Sequence, residues 1–298
     1  MTTTGSAAAV DGGVCRAVTK ASRSNFAFAF LFLPRPKREA LYAIYAYCRV
    51  TDDLVDEPGP ADPAPEGTAD ARVERLRAWR AELDASLAGT PGHPVTRRLT
   101  EVLRDFPIPR DCFVELLSGV EMDLGRPRYP TFADLERYCY RVAGVVGLMC
   151  IEVFGYSQPG TRLYAERLGM AFQLTNILRD LGKDAKAGRV YLPQEDLARF
   201  GVSEADLVAG HLTPPVQALL RFEADRAWQF YAAARAALPR EDRRKMLPAE
   251  VMRVIYARLL RDIEARGYDV FSRPVALSDT RRILLAFSCW ARNRLGCS

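Results

Sequence analysis

Two carboxylate-bearing runs, widely separated along the chain, constrain its fold more than any other feature. The first is Arg49-Val-Thr-Asp52-Asp53-Leu-Val-Asp56-Glu57, at the end of a helical pattern that begins near Pro36. Asp52 and Asp56 stand four residues apart, which puts them on one helix face about one turn apart. Like charges at that spacing repel, and the helix C-terminus adds its own partial negative charge. The second run is Gln173-Leu-Thr-Asn176-Ile-Leu-Arg179-Asp180-Leu-Gly-Lys-Asp184. Asn176, Asp180 and Asp184 repeat every four residues and share a face with Gln173. The residues around them (Met170, Phe172, Leu174, Ile177, Leu178) are apolar. Taken singly, either stripe reads as a solvated face. Taken together, on helices this apolar, they read as two stripes facing one another and caging divalent cations around a diphosphate. Two or three Mg²⁺ ions suit such a cage, because Mg²⁺ prefers carboxylate oxygens and keeps waters that phosphate oxygens replace. The expected metal ligands are Asp52, Asp53, Asp56, Asn176, Asp180 and Asp184.

The rest of the sequence reads as helix after helix. Apolar residues recur at three and four positions, as in Val251, Ile255, Leu259 and Ile263. No run alternates Val, Ile and Thr in the manner of a strand. Thr131 with Asp134 forms a capping box ahead of a helix to about Phe154, and Pro193 opens a short helix that Gly201 ends. Pro248 opens another, closed near Gly267, and Ser278 caps the last. The fold class expected is therefore all-α. The breaks at Pro58–Gly67, Gly89–Pro94, Arg126–Pro130 and Thr213–Pro215 are short, with equally apolar helices on both sides, so none reads as an interdomain linker. The expected organisation is a flexible N-terminus over residues 1–20 and one helical domain over residues 21–298. At 298 residues and 49% hydrophobic composition, the chain can bury a large core without disulfides or a structural metal.

Several function classes are disfavoured. Only two histidines occur, His93 and His211, which leaves no material for a histidine-rich metal site or a Ser-His-Asp triad. The seven cysteines are scattered and odd in number, which suits buried thiols in a reducing compartment. A net charge of +5 is mild, and arginines alternate with acidic residues, so no nucleic acid is expected as a partner. The uncharged apolar stretch Val142–Ile151 is about half the length that spans a bilayer. The first residues lack the basic and apolar regions of a signal peptide. The location expected is cytoplasmic, at most peripheral at the inner membrane face.

Arginine matches phosphate bidentately, which makes Arg49, Arg179 and Arg189 candidate diphosphate contacts, with Ser22 and Arg23 adding to them near the N-terminus. Tyr45 lies seven residues before Asp52, two turns deeper on the same face, and Tyr138, Tyr191 and Tyr256 are further candidates. An aromatic face stabilises a cation once water is excluded. Ala143-Gly144-Val-Val-Gly147 places small residues in mid-helix, serving either close helix approach or room for an apolar ligand. Asp123 is a further candidate for the cage.

These motifs resemble the head-to-head prenyl synthase family of squalene, dehydrosqualene and phytoene synthases. The likeness rests on Tyr45-Ala-Tyr-Cys-Arg-Val-Thr-Asp-Asp-Leu-Val-Asp56, on Tyr138-Cys-Tyr-Arg-Val-Ala-Gly-Val-Val-Gly147, and on the run from Gln173 to Asp184 followed by Arg189-Val-Tyr-Leu-Pro193. It extends from about Ser22 to about Phe271. Phe30-Leu-Phe-Leu-Pro34, Glu121-Met-Asp-Leu124, Ile151-Glu-Val-Phe-Gly-Tyr156 and Arg266-Gly-Tyr-Asp-Val-Phe271 look most like bacterial presqualene diphosphate synthases of hopanoid pathways. The resemblance implies a class I isoprenoid synthase helical bundle around a central apolar cavity. It also implies Mg²⁺-dependent condensation of two farnesyl diphosphates to presqualene diphosphate, with NADPH not expected. Asp52, Asp56, Asp180, Asp184, Tyr45 and Tyr191 would carry the chemistry. Ser22, Arg23, Arg49, Tyr138, Gln173, Arg179, Arg189 and Tyr256 would bind substrate. The partners implied are two prenyl diphosphates, peripheral contact with a membrane surface, and downstream pathway enzymes. Competing readings are a phytoene or dehydrosqualene synthase of carotenoid synthesis, a class I terpene cyclase, and a non-enzymatic helical interaction protein.

Overall fold

The computed structural model describes residues 3–21, 26–30, 33–56, 69–125 and 127–295. Among them no strand occurs. The helices in chain order are α1 (Thr3–Ala21), α2 (Phe26–Phe30), α3 (Arg35–Asp56), α4 (Ala69–Leu87), α5 (Pro94–Asp105), α6 (Asp111–Glu121) and α7 (Phe132–Cys139). They continue as α8 (Val145–Phe154), α9 (Gly160–Lys186), α10 (Gln194–Phe200), α11 (Glu204–Ala209), α12 (Pro214–Ala237), α13 (Leu247–Ala265) and α14 (Asp279–Leu295). Their buried apolar side chains form one continuous core cluster.

The punctuation expected from the sequence marks real ends. Thr131 and Asp134 form a reciprocal capping box on α7. Gly201 closes α10 in the left-handed region, at φ 63°, where L side chains are strained. The helix expected to run on to Phe154 is interrupted by a π-helical turn, Tyr140–Gly144. That turn fits an extra residue into the helix and so re-aims the side chains that follow, a device common at functional sites. The break at Pro58–Gly67 lies within residues outside the described set.

One expectation needs correcting. Residues 1–20 were expected to be flexible, yet most of them belong to α1, which packs on α3 and α5. Asp11 accepts a forked pair of hydrogen bonds from Arg97 at 2.7 and 2.8 Å, and Cys15 is buried. Composition alone does not distinguish such a packed helix of small residues from a loose tail.

At the centre lies α9, packed on α8, α12, α13 and the π turn. Its start is fixed by a carboxylate from outside the helix. Asp242 is wholly buried and accepts hydrogen bonds from the Ser157 and Gln158 N–H groups and from the Ser157 and Thr161 hydroxyls, at 2.7–3.0 Å. Burial alone would push its carboxyl up, but these donors outweigh burial and hold it well below the usual carboxylate range. Because its folded value lies below its unfolded one, Asp242 adds stability that is complete above about pH 4 and is lost as pH falls through the depressed value. Asp242→Ala should cost about 3 kcal/mol. Urea melts at pH 7 and pH 3 test this: the gap between wild type and variant should narrow at the lower pH.

Candidate active site

The two polar stripes arrive from opposite sides. α3 brings Tyr45, Cys48, Arg49 and Asp52 to a cavity of about 350 Å³, and α9 brings Phe172, Gln173, Asn176 and Arg179. Tyr256 of α13 joins them, and apolar side chains of α2, α8 and α13 continue the wall inward. Cavities of this size suit small-molecule ligands. The charged residues that line this cavity, Arg49 and Asp52 of α3 and Arg179 of α9, all come from the C-terminal halves of their helices. The opposite end is walled by Phe30, Ile151, Phe154, Tyr164 and Ala249.

Electrostatics at the polar end is organised in pairs. Arg49 bonds Asp53 at 2.6 Å, and Arg179 bonds its neighbour Asp180 through two nitrogens at 2.6 and 2.9 Å. Burial works against the Arg179 charge, but Asp180 and the Tyr256 hydroxyl outweigh it, so the guanidinium is held charged at the cavity wall. Tyr45 lies against Phe26 with ring centroids 5.7 Å apart, and Tyr256 against Phe172 at 4.5 Å. Aromatic rings thus sit just inside the charged rim.

The expected site residues divide into three groups. Tyr45, Arg49, Asp52, Gln173, Asn176, Arg179 and Tyr256 are brought to one cavity. Asp53 and Asp180 are tied to its arginines, and Asp184 follows one turn beyond Asp180 on α9. Tyr138 and Tyr191 belong to a separate cluster and are not among the residues lining the cavity. Their rings stack at 5.4 Å, and both hydroxyls donate to Asp123, at 2.7 and 2.9 Å. Burial and the nearby Asp123 push both phenols up, so they remain protonated donors. Arg189 stands close enough to Tyr191 to oppose that rise, and its N–H bonds the Asp184 carbonyl, linking this cluster to the end of the second stripe. Ser22, Arg23 and the Asp56 side chain lie outside the described residues.

A hard cation fits the donors present. Asn176 Oδ1 is buried at the cavity with no hydrogen-bond partner, an acceptor left open on an oxygen-rich stripe. Among the described residues no three acidic, histidine or cysteine side chains stand close enough to hold a metal by themselves. Mg²⁺ takes one or two protein carboxylates and its other oxygens from water and phosphate, so Asp52 and Asn176 at the cavity are donors of the kind it needs.

The glycines resolve a question that the sequence left open. A Cβ on Gly147 would lie 2.6 Å from the Ala165 carbonyl oxygen, and one on Gly169 would lie 2.5 Å from that of Ala143. Both serve close backbone approach between α9 and the π turn with α8, and both border the cavity. The resemblance implies an apolar cavity but not its lining. Nothing in the sequence singles out Phe30, Phe154 and Tyr164, and only their burial around an opening distinguishes them.

Comparison with known proteins follows the same lines. The squalene/phytoene synthase family matches residues 19–281. A phytoene synthase of Arthrospira platensis is 38% identical over 87% of this chain and 86% of its own length. A 15-cis-phytoene synthase of Synechocystis is 38% identical over 94% of this chain and 84% of its own. Among solved structures, a dehydrosqualene synthase in complex with ligand superposes with a TM-score of 0.82 at 31% identity, covering 97% of this chain and 98% of that one. The squalene synthase HpnC of Alicyclobacillus acidocaldarius gives 0.76 at 29% identity, covering 87% and 95%.

Gly147→Ala and Gly169→Ala should each lower stability by about 1–3 kcal/mol, because the new methyl meets a carbonyl that cannot move alone. Gly13→Ala, whose Cβ would meet nothing within 4 Å in α1, should be neutral or stabilising. Thermal melts of the three variants test the contrast.

Proposed function

This chain belongs to the squalene/phytoene synthase family, a family of prenyltransferases, and from that premise we propose that it joins two prenyl diphosphates head to head into a cyclopropylcarbinyl diphosphate, with release of diphosphate. The observation that carries this reading is the meeting of Asp52 and Asn176, from the two stripes, at one charged end of an apolar-walled cavity.

The residues divide the work by position. Arg49 and Arg179 orient the diphosphates and neutralise charge as the carbon–oxygen bond of the donor breaks. Asp52 and Asp56 on one side, and Asn176, Asp180 and Asp184 on the other, would hold Mg²⁺. When bound, that ion lends the leaving diphosphate Lewis-acid stabilisation. Phe172, Tyr256 and Tyr45 offer ring faces to the allylic cation, and the apolar wall excludes the water that would quench it. The acceptor's double bond attacks the cation, and proton loss closes the cyclopropane. Released diphosphate or a tyrosine of the lining such as Tyr45 would take that proton.

Two substrate readings each have a specific support. The Phe30–Pro34, Glu121–Leu124 and Arg266–Phe271 stretches favour farnesyl diphosphate and presqualene diphosphate as product. The identity of the curated phytoene synthases, at 38%, favours geranylgeranyl diphosphate, prephytoene diphosphate and then phytoene. Mass spectrometry of products from each substrate separately, with and without NADPH, decides between them. A C30 diphosphate made without reductant supports the first, and phytoene supports the second.

Asp180→Ala, or removal of Mg²⁺ by chelation, should reduce diphosphate release by more than about 100-fold. Full activity in the Asp180→Ala protein would overturn the proposed cage.

A further inference from the structure

The outward side of α14 is apolar. Ile283, Leu284 and Phe287 are 53%, 63% and 59% exposed, and Trp290 lies against Phe287 with ring centroids 5.4 Å apart. The inward side is well packed. Ala286 and Cys289 are buried, Arg282 lies 5.6 Å from the Phe28 ring of α2, and α14 rests along α13. Both supporting helices are walls of the cavity, through Phe26, Ala29 and Phe30 on one and Met252 and Tyr256 on the other.

Charge narrows the choice of occupant. α14 holds four arginines against one carboxylate, Asp279. Arg281 and Arg292 fall three turns apart, on one edge of the apolar strip, and both are exposed. A second copy of this face would set arginine against arginine. An anionic surface with an apolar interior matches both features, and this is the arrangement of a helix lying in a membrane interface. No described helix is long and apolar enough to cross a bilayer, so the fit is to a surface.

We propose that α14 is the surface through which the protein docks on anionic phospholipid. Ile283, Leu284 and Phe287 enter the boundary between headgroups and acyl chains, and Arg281 and Arg292 meet the phosphates. The docking rests on the prenyl diphosphate reading only for its purpose: the helix stands beside the walls of a cavity whose products would partition into lipid.

Flotation of the full chain with vesicles tests this without any turnover. Vesicles of phosphatidylcholine with phosphatidylglycerol should bind more than about tenfold better than phosphatidylcholine alone, and salt should weaken the binding. The combined Ile283→Ser, Leu284→Ser and Phe287→Ser variant should lose more than about tenfold in partitioning while keeping its melting temperature and its diphosphate release in detergent. Equal binding to both vesicle types, or unchanged binding by the variant, would overturn the proposal. So would a wild-type dimer that the variant dissolves without any vesicle binding, since that identifies a second copy as the occupant. If neither protein turns over prenyl diphosphates yet the vesicle results hold, the catalytic reading fails and the docking surface stands.

Discussion

Everything at the cavity depends on how closely α9 approaches the π turn and α8. Ala165 and Ala143 present carbonyl oxygens to Gly147 and Gly169 at distances no Cβ could tolerate. A glycine in mid-helix costs about 1 kcal/mol relative to alanine, so this contact is kept against local propensity. What the contact does is lock two helices as one wall. The opening is then defined by where α3 and α13 stand off from that wall, and the register of Gln173, Asn176 and Arg179 at the rim follows from that of Ala165 and Leu168 within. A shift of α9 by one residue would turn its polar stripe about 100° away from the cavity.

Carboxylates do three different jobs here, and burial separates them. Asp242 is fully buried and saturated with donors, and it holds the start of α9 in place. Asp123 is shared between two tyrosines beside the end of the second stripe. Asp53 and Asp180 are partly exposed and paired with arginines. The more exposed pair, Arg49 with Asp53, contributes only about 0–1 kcal/mol, so exchanging it for a phosphate contact costs little. The sequence places like charges where a helix should not want them. The paired arginines relieve that conflict while no anion is present, and they are the groups best suited to meet one.

The helical class, the cap at Thr131 and the ends at Gly201 and Gly267 were legible because each depends on local chemistry. The convergence of the two stripes was legible for another reason: either alone reads as a solvated face, but two of them on helices this apolar read as facing one another. What escaped the sequence was long-range. Nothing local distinguishes a Tyr138 or Tyr191 that points at Asp123 from one that lines the cavity. Nothing in the small residues of α1 announces that Asp11 will meet Arg97. The π turn was hidden too, since an extra residue in a helix leaves the apolar pattern almost intact.

Substrate length belongs to the same hidden class, and energetics says why. Burying one more isoprene unit is worth roughly 3–4 kcal/mol, at about 0.8 kcal/mol per carbon. A cavity open at its apolar end therefore favours the longer chain, and preference for the shorter one requires a wall that does not yield. Tyr164 is the side chain with the backing to act as such a wall. It is fully buried and lines the cavity, its hydroxyl donates to Glu250 at 2.9 Å, and Glu250 is itself bonded to Arg253 at 2.8 Å. A ring tethered in this way cannot swing aside without giving up that hydrogen bond and its own place in the core, which works against the extra burial. On the proposed function, chain length would then be set by the stiffness of a few side chains at the end opposite Arg49, Asp52 and Arg179.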